Sequence, residues 1–450
     1  PGALGTSSCQ TWRFAVQRAN FRLVSPLRVD CLLQPGVEFR NGADVHSFWE
    51  AVADQVGASH LRQAPGREKL EYETARSIDL PNDIAVLRKD LAVERDFSCG
   101  VVADSEVEWV RWSLCDFGIL LVEMGLSLGV EGRSAATVEK QVQQVATDIN
   151  ERLITPSYLK LRDVIQSHDN ASDFTVLEDS QPVELAWASR ALIFDPAEGV
   201  SLQSQAEFAK EWLGGGSRAA EIVQQLQDGE ITHHAEWMNY VYLLESSDNS
   251  VELQEQWKAL LRAQFYYSAM GRIDSKLMRI LAWAMSNSDD ISTKKLREQL
   301  RQAMDFAEAL FLKKSEVGKY VNPTSREETE RILRVWNFDE VLANPVKDKL
   351  QICQSRLDAI ESERARSASF FTDLILMVIG VTSILGTALA VVSLGRSASA
   401  DPDQTVYDLG AGDLTTWIAT QPIDVILLIS TIISVLMVIA FIMARKKSDS

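Results

Sequence analysis

Two long runs without a charged residue limit what this chain can fold into more than any other feature of it. Residues 374–395 carry no charge over 22 positions, and residues 425–444 carry none over 20. A helix rises about 1.5 Å per residue, so roughly 20 apolar residues match the hydrocarbon thickness of a bilayer. Both runs are therefore read as transmembrane helices. Arg445, Lys446 and Lys447 follow the second run, and Arg356, Arg364 and Arg366 precede the first. The connecting loop, 396–424, holds Arg396 against Asp401, Asp403, Asp408, Asp413 and Asp424. The excess of basic residues outside the loop predicts a multi-pass protein of the inner (plasma) membrane with both termini cytoplasmic.

The rest of the chain is acidic. The net charge is −18, from 45 Lys and Arg against 63 Asp and Glu. Nucleic acid needs a basic face that releases counterions, so no nucleic-acid partner is expected. Five scattered cysteines show no metal-site spacing and indicate a reducing compartment without a disulfide framework. The chain opens on Pro1, no signal peptide is visible, and residues 1–11 are set apart as a cloning remnant.

Hydrophobic periodicity divides the remainder into an α+β cytoplasmic domain, a helical region, a stalk and the two spans. Residues 12–200 are read as the α/β domain. Alternation over 12–33 and aromatic and β-branched runs over 107–128 predict strands, and helical spacing over 44–56 and 135–153 predicts helices. Residues 201–344 are read as helical, with segments at 251–285, 293–320 and 325–342 and a glycine linker at 214–216. Ser325 and Glu328 have the spacing of a capping box. Asn344–Pro345 is a capping residue followed by a proline suited to the first helical turn. Residues 345–373 then form a stalk whose Val346, Leu350, Cys353, Leu357, Ile360, Arg364, Ser367 and Phe371 step by four and three. Such a heptad seam predicts either packing within the chain or self-association. One helix from 345 to 395 would be about 75 Å long.

That order of parts resembles the CorA-like two-transmembrane metal ion transporter superfamily. The resemblance implies a homopentamer whose first span lines a pore and whose cytoplasmic domain senses cations. Relatives carry Gly-Met-Asn at the outer end of that span. Here the corresponding stretch reads Ser393-Leu394-Gly395-Arg396-Ser397, in which only Gly395 matches, so no functional residue transfers.

Taken at about 100° per residue, Asp373, Gly380, Ser383 and Thr387 fall on one stripe, extended by Leu376, Val391 and Leu394. The stripe reads as helix packing or as a pore lining, with Asp373 and Arg396 as charged rings. The expected partners are the lipid bilayer, further copies of the chain and inorganic ions. The function expected first is a weakly selective ion channel or transporter with a sensing domain. The alternative is a membrane-anchored sensor or effector whose soluble domain binds a ligand or partner. No enzymatic activity and no cofactor are expected, and the ligands of any metal site are left open. Gly214–Ser217 lacks the lysine of a phosphate loop. His233, His234 and Glu236 are the one compact metal-capable group in sequence, but adjacent histidines diverge. Phe265, Tyr266, Tyr267, Trp257, Trp283 and Trp336 are read as core.

Overall fold

The computed structural model describes residues 18–34, 42–61, 84–93, 102, 105–178, 183–185, 187–195, 202–244, 250–286, 293–399, 413, 417 and 420–448. The chain divides into two compact units, Pro1–Gln354 and Ser355–Ser450.

The first unit is built on one large sheet. Strand β1 (Arg18–Val29) is central because its residues are apolar on both faces, with Phe21, Leu23, Val24, Leu27 and Val29 all buried. It pairs antiparallel along its length with β6 (Ile119–Gly129), whose eleven residues are all buried. A strand buried on both faces reads as a continuous apolar run. Beyond β6 lie β5 (Ser105–Cys115), β4 (Ala85–Leu91) and β3 (Ser59–His60). On the other side of β1 lie β9 (Ser189–Phe194), β11 (Asn239–Leu243) and β10 (His233–Ala235), and β8 (Val183–Leu185) also pairs with β1. The β9–β11 pairing is parallel, and the other pairings are antiparallel. A separate pair joins β2 (Cys31–Leu33) to β7 (Thr175–Leu177).

Helices cover both faces. On one face α1 (Gly42–Val56) and α2 (Ala135–Ile149) set apolar rows into the core, Val45, Phe48, Trp49 and Val52 from the first and Val138, Val142, Val145 and Ile149 from the second. A π turn, Asn150–Ile154, leads from α2 to α3 (Thr155–Ser167), followed by the single turn α4 (Ala171–Phe174). Tyr158 of α3 donates to the fully buried Asp30 (2.5 Å), and Arg162 pairs with the same carboxylate at 2.7 Å. Helices α5 (Ala206–Trp212) and α6 (Gly216–Gln227) follow. The long α7 (Ser250–Ser286) reaches the sheet through Trp257, whose Nε1 donates to buried Glu123 of β6 (2.8 Å). Arg272 of α7 donates to the carbonyls of Val29 and Gly118, both at 2.6 Å, and pairs with Glu178. Helices α8 (Thr293–Tyr320) and α9 (Pro323–Val335) complete this layer.

The pair of strands expected over 107–128 is present and turns at Asp116–Gly118. Helices expected at 44–56, 251–285 and 293–320 are present within a residue or two. Other expectations are corrected. Residues beyond 201 are not helical throughout, because β10 and β11 extend the sheet there. The start of α9 is Asn322, whose side chain accepts from Thr324 N (3.1 Å). Ser325 is buried instead, accepting from Arg262 Nη1 at 2.6 Å, so it is not free to cap. The heptad seam holds only at its start. Val346 and Cys353 are fully buried, whereas Leu350, Leu357 and Ile360 are half-buried.

Helix α10 (Asn344–Ser399) bridges the sequence boundary between the units, and α11 (Ile423–Ser448) lies in the second. Among the described residues no helix is long and apolar enough to cross a membrane. This overturns the two spans read at 374–395 and 425–444 and the multi-pass placement with cytoplasmic termini. It also removes the two-span CorA-like architecture and the channel and ion-transport reading built on it. The expectation rested on the absence of charge over these two runs. In α11 the burial pattern is inverted. Ser430 and Ser434 are buried, while Leu428, Ile429, Ile432, Val435 and Leu436 are exposed.

Candidate metal centre

The candidate site grows out of the turn that ends α1. His46 and Glu50 are four residues apart, so one turn of helix sets them on a shared flank. That flank borders the row formed by Val45, Phe48, Trp49, Val52 and Val56, which is buried against the sheet. Gly57 closes the helix at φ +65°, a left-handed conformation in which its missing Cβ is an advantage. Its N–H bonds Asp54 O (3.4 Å), and the next N–H, of Ala58, bonds Ala53 O (2.9 Å). This pair of bonds is the Schellman closure. It reverses the chain, and β3 returns antiparallel to β4, with His60 opposite Leu87. From Gly57 to His60 the extended chain covers about 10 Å, close to the ~9 Å of helix between Glu50 and Val56. His60 is thus carried back to His46 and Glu50.

The three side chains converge. One ligand atom from each of His46, Glu50 and His60 lies within 4.8 Å of the other two. The two imidazole rings are 4.7 Å apart at 47°. His46 Nε2 stands 3.2 Å from Glu50 Oε1. His46 Nδ1 is buried and has no hydrogen-bond partner among the described residues. Glu50 is 60% exposed and His46 25%, so the cluster opens to solvent on the carboxylate side. On another side of α1, Phe48 meets His168 edge-on at 5.4 Å.

Two imidazoles and one carboxylate are a ligand set for a borderline divalent transition metal. Around one zinc ion, bonds of about 2.0–2.2 Å place neighbouring ligand atoms roughly 3–3.5 Å apart, so a small side-chain adjustment closes the site. Three protein ligands leave a fourth position for water or another donor. Ligands from a helix and an edge strand would tie those two elements together.

The other histidine group behaves differently. His233 and His234 sit on strand β10, not on a helix, and point to opposite faces. His233 stacks on Tyr242 (5.7 Å, 9°) and meets Glu328 Oε1 at 3.1 Å. His234 faces Glu236 at 3.4 Å instead. Arg331 grips Glu328 with two bonds of 2.7 and 2.8 Å. Burial opposes the charge on Glu328, but the bonds from His233 and Arg331 outweigh it and bring the carboxyl down to about 2. His234 is lowered, chiefly by burial, against the opposing pull of Glu236. Each histidine has its own carboxylate, and the pair does not converge.

The stripe on the presumed first span lies on α10. Leu376 is 60% exposed, Ser383, Thr387 and Arg396 are exposed, and Gly380 is half-buried. Thr387 donates to Ser383 O (2.8 Å), so this hydroxyl is satisfied within its own helix. The side chains of Asp373, Val391 and Leu394 lie outside the described residues. Of the aromatic residues read as core, Trp257, Phe265, Tyr266 and Trp336 are buried, and Tyr267 and Trp283 are half-buried. Gly214 and Gly215 turn between α5 and α6, and Gly216 opens α6. Cys31 is buried, and burial beside Asp30 pushes its thiol up to about 12, so it is no nucleophile.

The metal-capable trio was missed in the sequence although its signal was present. His46 and Glu50 already had i,i+4 spacing on an expected helix, and Gly57 marked the stop before His60. A search for histidines close together in sequence passes over ligands separated by a turn.

No protein-family model matches the chain, no curated protein matches it, and no solved structure matches its fold.

Proposed function

We propose that the chain is a metal-responsive binding module that holds one divalent transition ion at His46, Glu50 and His60 and does no covalent chemistry. The convergence of the three ligand atoms within 4.8 Å carries this reading. Imidazole nitrogen with a single carboxylate favours zinc, nickel or copper over magnesium or calcium, which prefer all-oxygen shells. Bound metal would pin α1 to β3, the last strand at that end of the sheet among the described residues. Metal level would thereby set how firmly that edge is ordered, which is what a sensing domain requires.

Isothermal titration of the metal-free full chain with zinc tests this. One equivalent should bind in the micromolar range or tighter, and His46→Ala and His60→Ala should each abolish it. Magnesium should not compete. Absence of binding, or binding that survives both substitutions, overturns the reading.

A further inference from the structure

Helix α11 presents two unlike faces. Ser430 and Ser434 are buried, and Ser434 Oγ donates to Ser430 O (2.8 Å), so the covered side is small and satisfied. The open side is apolar. Val425, Leu428, Ile432, Val435 and Ile439 are each 38–61% exposed. They step by three and four, so at about 100° per residue they share one narrow stripe, turned away from the two serines. Ile429 and Leu436, also exposed, border the stripe on one side.

That spacing is a heptad, with Val425, Ile432 and Ile439 at the a positions, Leu428 and Val435 at d, and Ile429 and Leu436 at e. β-Branched residues hold every a position, and a leucine holds one of the two d positions, a composition that favours two strands over three or four. No charged residue lies between 425 and 444, so the stripe offers a partner of either charge nothing to pair with. These side chains leave on the order of 600 Å² of apolar surface per chain, the upper end of what a monomer exposes in one patch. Two such faces brought together remove roughly 1,200 Å², where the range of specific interfaces begins. A surface equally apolar and with the same repeat covers the stripe best, and another copy of α11 supplies one.

We propose that α11 is a self-association element, through which two copies of the chain pair along the stripe from Val425 to Ile439. Side chains at a and d of each copy enter the gaps between those of the other. A symmetric pairing of one patch with itself closes at two copies. Its driving force is burial of aliphatic surface, not charge, so added salt does not weaken it.

Sedimentation equilibrium of the full chain in detergent-free buffer tests this. The mass should be that of two chains at micromolar concentration, at low and high salt alike. Ile432→Glu with Val435→Glu should give single chains, a loss of roughly hundredfold in association. Both side chains are exposed in the single chain, so its own packing loses nothing by the change. Leu428→Ala with Leu436→Ala keeps the helix, alanine being its best former, and should weaken association roughly tenfold. Ile433→Glu, exposed on α11 but off the stripe, should leave the pair intact. The proposal is overturned if the parent chain sediments as one copy, or as one copy carrying a belt of detergent when detergent is supplied. A particle larger than two chains overturns it as well. So does an Ile433→Glu variant that dissociates as readily as Ile432→Glu with Val435→Glu.

Discussion

The sheet carries a histidine cluster near each end, and the two are built for opposite purposes. At the β3 end, His46 and His60 come from different elements, turn toward each other and share one exposed carboxylate. At the β10 end, His233 and His234 are neighbours, and each is matched to a separate, more buried carboxylate. Nitrogens that converge on one carboxylate suit a metal, whereas one acid per base, in a stack with Tyr242 and a fork from Arg331, suits a joint between elements. Closeness in sequence says little about which arrangement results. The path of the backbone decides it.

The sharpest way to break this contrast is to exchange the roles. Removing His46 should abolish zinc binding, while His233→Ala or His234→Ala should leave the titration unchanged. The opposite pattern would move the metal to the β10 end.

The next effect concerns stability. Glu328 is 11% exposed and lies well below the ordinary carboxylate range. Its folded value is depressed, so its contribution is present above the unfolded value near 4.5 and is lost as pH falls through about 2. A shift of that size corresponds to about 3 kcal/mol, to order of magnitude. Chemical denaturation between pH 5 and 2 should show this loss in the parent protein and a flatter curve in Glu328→Gln. Identical slopes would mean that the joint does not hold α9 to the sheet.

A smaller effect sharpens the β3 end. Gly57→Ala meets nothing within 4 Å, so its cost is conformational alone, about 1 kcal/mol from the left-handed φ. Because the turn aims β3, zinc affinity should fall with it. If affinity holds while stability drops, His60 does not depend on that turn for its placement.

The smallest effect falls on His234, whose lowered value reflects burial. The unfolded chain takes up the proton first, so stability should decline as pH falls below the ordinary histidine value near 6.5. His234→Asn should remove that decline, and comparing thermal midpoints at pH 7.5 and 5.5 would read it.

Much of the fold was legible where a single element carries its own pattern. The row Val45, Phe48, Trp49, Val52, Val56 defined α1, and dense apolar residues defined β5 and β6. The short strands β8, β10 and β11, of three to five residues, hold no pattern long enough to see, and tertiary pairing alone makes them strands. Ser325 had the letters of a capping box, yet a bond to Arg262, 63 residues away, claimed its hydroxyl. The charge-free runs near the C-terminus were plain to read, yet among the described residues no helix is long and apolar enough to cross a membrane. For the metal centre, two of three ligands were visible as an i,i+4 pair, and the third needed the reversal at Gly57.

The strand order carries a temporal consequence for synthesis. Strand β1 leaves the ribosome long before its partners, which arrive only with residues 119–129 and 183–194. At about 5–20 residues per second, its apolar length waits on the order of ten seconds or more for its second neighbour. Until β6 arrives both of its edges are open templates for misplaced pairing, and one stays open until β8 and β9 arrive, the hazard that slow, long-range sheets face in general. Nascent chains that end before β9 should therefore need chaperone protection, which longer ones, with β9 in place, would shed.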